Sequence, residues 1–250
     1  MNKPNIIHTQ IQEGVSLYTC KTDKFKSALM NVSFAVPLAE ETASCYSLLT
    51  NLLSLSTADY PDMQTFSIIK DELYALGLDS FVQRRGEILL ITLEINTIAD
   101  SFAFDNEQEL LRATELLGSA VFRPLIKDGA FPMENVESEK NCLIEEIASI
   151  IENKPSFALK RARELICRGE PFAVDAGGEI ERVEALDGED LAKAHRYILE
   201  NAPVFITYSG EADNEYVSEC IRKNLPFAPR KQILPEPVFH KKQESIIRVT

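Results

Sequence analysis

The side chains that could do chemistry in this chain are few and scattered. Its three histidines, His8, His195 and His240, lie far apart, so no helix presents two of them as a zinc-binding pair. Each is interpreted as a surface or half-buried residue. Glu139 and Glu146 share one face of a predicted helix, where paired carboxylates can act as acid and base or as metal ligands. In so acidic a chain, a solvated helix face is the stronger interpretation of this pair.

Activated nucleophiles and phosphate-binding loops are not indicated either. The sequence has no Gly-x-Ser-x-Gly segment, and Ser47 has no base near it in the sequence, so we interpret Ser47 as a packing residue. The pair Gly177-Gly178 lacks the spacing of phosphate-binding loops and is interpreted as a loop that needs positive φ. We therefore expect no cofactor.

Charge and cysteine usage limit the possible partners and the compartment. The 250 residues carry a net charge of -13, which argues against nucleic acid or an anionic membrane as the main partner. The basic cluster Lys160-Arg161 with Arg163 is interpreted as a solvated helix face. Five cysteines without a Cys-x-x-Cys pair indicate reduced thiols. No signal peptide and no membrane span are predicted, so the expected compartment is the cytoplasm.

The element that would have to position any site is an apolar helix, predicted over residues 40–55. The pattern predicts two hairpins separated by a pair of helices, then further helices, then a strand–helix unit. This order predicts α+β architecture with helices on one face of a largely antiparallel sheet. Strands at 15–19 and 28–36 are predicted to pair as a hairpin. The further helices are predicted over 63–76, 106–121, 134–151, 156–167, 187–199 and 213–222, and the further strands over 79–83, 87–96 and 204–209.

The domain organisation is predicted from a change in composition near the end of the chain. Residues 1–223 are predicted to form one domain, and residues 224–243 a linker, since four prolines fall within 224–237. Residues 244–250 are interpreted as the first strand of a second, truncated repeat.

Several segments, in this order, resemble the pitrilysin/insulinase family of zinc peptidases. The resemblance covers nearly the whole chain. It rests on Ser-Thr-Ala-Asp-Tyr-Pro at 56–61, Glu-Leu-Tyr-Ala-Leu-Gly at 72–77, the helix at 137–147, Gly-Glu-Pro-Phe-Ala-Val-Asp-Ala-Gly-Gly at 169–178, and the strand end at 204–213. The resemblance implies an insulinase/mitochondrial processing peptidase-like (LuxS/peptidase-like) domain.

The family's inverted zinc motif, His-x-x-Glu-His, falls on residues 47–51 when it is placed by the Ser-Thr turn. The chain has Ser47, Thr50 and Asn51 at the positions of the two histidine ligands and the general-base glutamate. Glu146 resembles the third ligand, and Glu139 keeps the family's residue type upstream of it. One carboxylate cannot hold a catalytic zinc ion, so the resemblance implies no catalytic residues and no metal. Ser47→His, Thr50→Glu and Asn51→His are expected to rebuild a zinc site with Glu146.

The resemblance also implies a function. Members without the motif act beside a motif-bearing relative, and the two form a clamshell around a peptide. The chain is therefore predicted to be a non-catalytic homologue that binds a peptide or such a relative, as a hetero- or homodimer. Lys-Asp-Gly-Ala-Phe at 127–131 and Gly-Glu-Pro-Phe-Ala at 169–173 resemble the bacterial pair associated with 5-aminopentanol modification of elongation factor P. Two alternatives stay open: a hydrolase that uses residues outside the motif, and a purely structural assembly subunit.

Overall fold

A computed structural model describes residues 5–104 and 107–230, and these form six strands and eight α-helices. The strands are β1 Ile6–Gln12, β2 Val15–Lys21, β3 Ser27–Pro37, β4 Gly77–Arg85, β5 Ile88–Ile98 and β6 Val204–Gly210. The helices are α1 Glu40–Leu53, α2 Met63–Glu72, α3 Glu109–Phe122, α4 Met133–Ser149, α5 Lys154–Ile166, α6 Ile180–Ala185, α7 Gly188–Asn201 and α8 Asn214–Asn224.

The strands form one sheet in the order β1-β2-β6-β3-β5-β4. Only β2 and β6 run parallel among the described pairs, which confirms the largely antiparallel sheet. The predicted hairpin between β2 and β3 is wrong, because β6 lies between them. Its buried side chains, Val204, Ile206 and Tyr208, complete the apolar row across the sheet, and Val32 pairs directly with Ile206. The order of the strands is therefore determined more by the burial of residues distant in sequence than by nearness along the chain.

The helices pack on one face of the sheet, as predicted for an α+β fold. Alternate residues of the central strands, such as Met30, Phe34 and Ile91, are buried against leucines of the helices. Burying one such side chain contributes about 1.5–3 kcal/mol. On the opposite face Leu29, Asn96 and Thr207 are half-buried or exposed. The core therefore lies between the sheet and α1, which is the helix expected to carry the site.

Three other elements differ from the sequence-based expectation. Helix α2 ends at Glu72 rather than at residue 76, since Tyr74 and Ala75 have positive φ angles of 58° and 55° and turn the chain directly into β4. Strand β1 and helix α6 were not predicted. Both are short or weakly patterned, and each depends on a partner element distant in sequence for its place.

The proline-rich segment begins packed against the domain. Leu225 and Phe227 are buried in the core cluster, and the backbone N–H of Arg230 donates to the carbonyl of Glu13 at 2.9 Å. Residues 231–243 and the strand predicted at 244–250 lie outside the described residues. The domain boundaries stay predictions.

Candidate functional site

Helices α1 and α4 pack against each other and form one wall of a cleft beside β4. Ser47 and Asn51 lie one turn apart on α1, and Glu146 lies on α4 across from them. The cleft has a volume of about 470 Å³. The structure therefore brings together three of the residues singled out from the sequence. The remaining wall residues come from β4, from α5 and from the loop after it, and include Ser80, Phe81, Val82, Ser156, Lys160, Asp175 and Gly177.

Thr50 is turned away from the cleft. Its side chain is buried, and its hydroxyl donates to the carbonyl of Tyr46 within the same helix, at 2.5 Å. A threonine bonded in this way satisfies its hydroxyl without any partner outside the helix. At the position expected for the base that activates water, the chain thus offers an internally bonded hydroxyl.

Asn51 and Glu139 form a pair between α1 and α4. The side chain of Asn51 lies beside the half-buried carboxylate of Glu139. Burial raises the pKa of Glu139, and the neighbouring Asn51 amide lowers it to a smaller extent. The upstream carboxylate of α4 therefore lies beside a neutral amide at a position where the family has a histidine.

Glu146 lines the cleft but has an exposed side chain. Among the residues that the structure describes, no histidine or cysteine lines the cleft with it. In the described ranges, 5–104 and 107–230, no three His, Cys, Asp or Glu side chains converge as a metal site would require. A hydroxyl, an amide and one carboxylate do not fit a catalytic zinc ion.

The histidines serve structural roles where they are described. His195 is buried, and its Nε2 lies 2.8 Å from the carbonyl of Val121; burial lowers its pKa. The exposed His8 stacks on Tyr18 with ring centroids 4.8 Å apart. His240 lies outside the described residues.

The loop that follows α5 is fixed against α1 by close backbone approach. Gly178 has a φ of +86°, and a Cβ there would lie 2.2 Å from Oγ of Ser44. The Ser44 hydroxyl accepts from the backbone N–H of Glu179 at 2.9 Å. The expectation that this glycine pair needs positive φ is confirmed for Gly178, and the loop closes the end of the cleft.

The basic cluster on α5 does not form a solvated face, so that interpretation is wrong. Lys160 and Arg163 turn toward the loop, where Lys160 Nζ lies 3.0 Å and Arg163 Nη2 lies 3.3 Å from Oδ2 of Asp175. Arg161 alone of the three points outward and is paired with Glu164 on its own helix. The i, i+3 spacing of Lys160 and Arg163 indicated a shared face, but not which way that face points.

The outward face of α5 is apolar instead. Leu159 is 69% exposed and Ile166 is 76% exposed, and Ala162 lies between them on the same side. No side chain of α5 is fully buried. This surface, the α5 ridge, also includes the exposed Leu165. Helices normally turn an apolar stripe toward a core. Helix α5 instead leaves its apolar stripe exposed to its surroundings.

The cleft lies beside an edge of the sheet. Strand β4 is an edge strand of the sheet and lines the cleft through Ser80, Phe81 and Val82. An edge strand carries backbone donors and acceptors that a bound peptide can pair with. The hydroxyl of Ser47 and the amide of Asn51 lie across the cleft from this edge.

The comparisons with known proteins agree with this geometry. No protein-family model matches the chain. The protein described as "Probable inactive metalloprotease YmfF" from Bacillus subtilis (strain 168) is 24% identical over 210 residues, which cover 84% of this chain and 49% of that protein. Within the described residues, every helix is too short or too polar to cross a membrane.

Solved structures share the fold. A conserved protein from Enterococcus faecalis V583 aligns with a TM-score of 0.89 at 24% identity, over 97% of this chain and 57% of that one. A "peptidase M16 inactive domain" from Pseudomonas fluorescens aligns with a TM-score of 0.67 at 16% identity, over 94% and 54%. The chain spans about half the length of these relatives. The resemblance recognised from the sequence motifs and the peptidase-like fold are confirmed.

Proposed function

We propose that this chain is a homologue of the pitrilysin/insulinase zinc peptidases without their zinc motif, and that it binds peptides without cleaving them. The observation that carries the proposal is that the chain has a cleft at this place, although the motif positions beside it do not hold zinc ligands or a general base. Ser47 and Asn51 line it beside the edge of β4, and Thr50 is bonded within α1.

The bound peptide would lie extended along β4. Main-chain hydrogen bonds to an edge strand provide affinity that is largely independent of sequence. Side chains of the peptide would meet Phe81 on one side of the edge, and Ser47 and Asn51 across the cleft. Such a mode needs no metal and no activated water.

A hydrolase that uses other residues is disfavoured by the position of Glu146. That hypothesis requires this carboxylate to lie within bonding reach of a histidine or cysteine, but within 5–104 and 107–230 neither residue type lines the cleft with it. Glu139, the other carboxylate of α4, lies beside Asn51.

Binding in the cleft can be tested by blocking it. Asn51→Trp places an indole where a peptide would lie, and Asn141→Trp makes the same change at an exposed site of α4 outside the cleft. We expect the first variant to lose at least about tenfold in affinity for a random-sequence peptide pool, measured by fluorescence anisotropy. The second should bind like the unmodified chain. Equal binding by both variants, or turnover of peptide by the unmodified chain with one bound zinc, would contradict the proposal.

Partner binding is a second candidate function, and the α5 ridge favours it. The relatives carry about as much chain again beyond the part they share with this protein. A second unit of similar fold is therefore the occupant that we propose for the ridge, supplied by a motif-bearing relative. The pair would form a heterodimer in the cytoplasm. All five cysteines are free thiols, which is compatible with a reducing compartment.

This second candidate predicts a change in assembly rather than in peptide affinity. Leu159→Glu with Ile166→Glu places charges on the ridge and is expected to abolish a complex with a co-expressed motif-bearing relative. Lys154→Glu, at the start of the same helix, is the matched control. Light scattering after size exclusion would report the mass of each complex. A complex that survives the double substitution would exclude the ridge as the interface.

A further inference from the structure

Three cations meet where α5, the loop after it and the end of β4 come together. Lys160 and Arg163 approach the same carboxylate oxygen of Asp175. Arg84 donates from Nη1 to the carbonyl of Val174 at 3.1 Å, and its guanidinium lies 4.7 Å from the ring centroid of Phe172. One carboxylate thus faces three positive charges, in a chain whose net charge is -13.

One donor of this cluster has no acceptor. Nε of Arg163 is buried and has no hydrogen-bond partner. Asp175 also holds the loop, because its Oδ1 accepts from the backbone N–H of Gly177 at 3.0 Å. A buried donor without an acceptor costs free energy, and so do two guanidinium groups held close together.

The electrostatics of Arg84 agree with this excess of positive charge. Its pKa is lowered, first by burial and second by the charge of Arg163. Asp175 acts in the opposite direction but to a smaller extent. Arg163 is thus close enough to Arg84 to disfavour its charged form.

The cluster reaches the candidate site through Lys160 and Asp175, which both line the cleft. At the α4 wall the same cleft is lined by the exposed carboxylate of Glu146. Among the described residues, the lining of the cleft therefore has a carboxylate without a cation beside it along α4, and its lysine at α5. An extended ligand would be oriented by a carboxylate of its own at the basic end.

We propose that Lys160, backed by Arg84 and Arg163, forms a carboxylate-binding subsite at the α5 end of the cleft. The inference rests on the proposed peptide binding and adds the class of ligand: peptides that place a C-terminal or side-chain carboxylate at this end. Lys160 contacts the carboxylate, and the two arginines supply charge from behind it.

Four pools of random peptides, labelled with a fluorophore that carries no carboxylate, test the subsite by anisotropy titration. They combine a free or amidated C-terminus with the presence or absence of Asp and Glu. We expect the pools with a carboxylate to bind at least about tenfold more tightly than the amidated pool without acidic residues. Two of the pools distinguish a terminal from a side-chain carboxylate: the pool with a free C-terminus but no Asp or Glu, and the amidated pool with Asp and Glu. The preference should weaken as salt is raised from low to physiological ionic strength.

Matched variants on one helix locate the effect. Lys160→Gln should reduce the preference to less than about twofold, whereas Arg161→Gln, which removes an equal charge from the outer side of α5, should leave it intact. Equal binding of all four pools to the unmodified chain would overturn the subsite and leave peptide binding standing. Failure of every pool to bind would overturn peptide binding, and the subsite with it. If Lys160→Gln does not fold, the subsite is tested by the affinities of the unmodified chain for the four pools and by their dependence on salt.

Discussion

The polar groups on the two walls of the cleft differ in whether they have partners within the chain. Along α1 and α4, the hydroxyl of Thr50 is bonded to Tyr46 and the amide of Asn51 lies beside Glu139. At α5 and its loop, Arg163 keeps a buried donor without a partner, and Lys160 and Arg163 share one carboxylate. Where the family motif predicts reactive groups, the chain has internally satisfied ones. The unsatisfied charge lies at the other wall, where a ligand could be bound but not cleaved.

The contact that joins the two walls is expected to be the most sensitive to substitution. Gly178→Ala places a Cβ 2.2 Å from Oγ of Ser44 at a residue with positive φ. We expect it to lower the free energy of unfolding by about 3–5 kcal/mol, measured by urea denaturation. Gly169→Ala, in the same loop with φ +84° and open space around it, should cost only about 1 kcal/mol. Equal costs would show that the loop is not packed tightly on α1.

Metal binding tests whether the α1 wall keeps the geometry of a ligand site. Ser47→His with Asn51→His restores two histidines one turn apart, facing Glu146, and leaves the buried Thr50 unchanged. We expect affinity for Co²⁺ to rise at least about 100-fold, followed by the visible absorption of the ion. Adding Glu146→Gln should remove most of this gain. No gain in the double variant would mean that residues 47–51 are not in the register of the family motif.

Thr50 provides a smaller test of the same wall. In Thr50→Val the hydroxyl is lost, but its acceptor, the carbonyl of Tyr46, belongs to the helix backbone and keeps its place in the ladder. We expect a change in the free energy of unfolding of less than about 1 kcal/mol, and no change in peptide affinity. A loss of peptide affinity without a loss of stability would show that this hydroxyl does reach a ligand.

Substitution of Glu139 is expected to have the smallest effect, which would be visible as a change in how the free energy of unfolding depends on pH. Its pKa is raised in the folded chain, so folding favours the protonated form. The stability that Glu139 contributes is complete below its unfolded pKa and is lost as pH rises through the folded pKa. Glu139→Gln removes this loss, so the variant should gain stability relative to the parent as pH rises from about 4 to 7.

The size of this gain is limited, since Glu139 is only half-buried and water screens its charge. We expect roughly 1 kcal/mol or less, measured by urea denaturation across the pH range. A variant that instead becomes less stable than the parent toward neutral pH would show that the ionised carboxylate, beside Asn51, is the favoured form.

The sequence predicted the helices and strands better than it predicted which of them are neighbours in space. Helices α1 and α4 were predicted close to their observed bounds, because each has an apolar face with a regular period. The position of β6 was not predicted. A strand of seven residues carries no local signal that it must separate β2 from β3, and only burial across the whole sheet decides it.

The candidate site was predictable on one wall only. The family motif placed Ser47 and Asn51 opposite Glu146, and all three line one cleft. The orientation of α5 was missed, since charged faces usually turn to water and apolar faces to the core. The carboxylate that draws Lys160 and Arg163 inward is Asp175, in a loop without a periodic pattern. The sequence offered no signal for this contact beyond the Gly177-Gly178 pair that shapes the loop.

Strand β6 also has a consequence for how the chain acquires its structure. It alone links the β1-β2 ribbon to the β3-β5-β4 ribbon, and it pairs with both along its length. During synthesis, the inner edges of both ribbons stay unpaired until residues 204–210 leave the ribosome. Folding of the sheet is therefore dominated by long-range contacts, which are slow to form and leave edges open to aggregation. A nascent chain stalled before Val204 would consist of two open ribbons and be a natural client for chaperones.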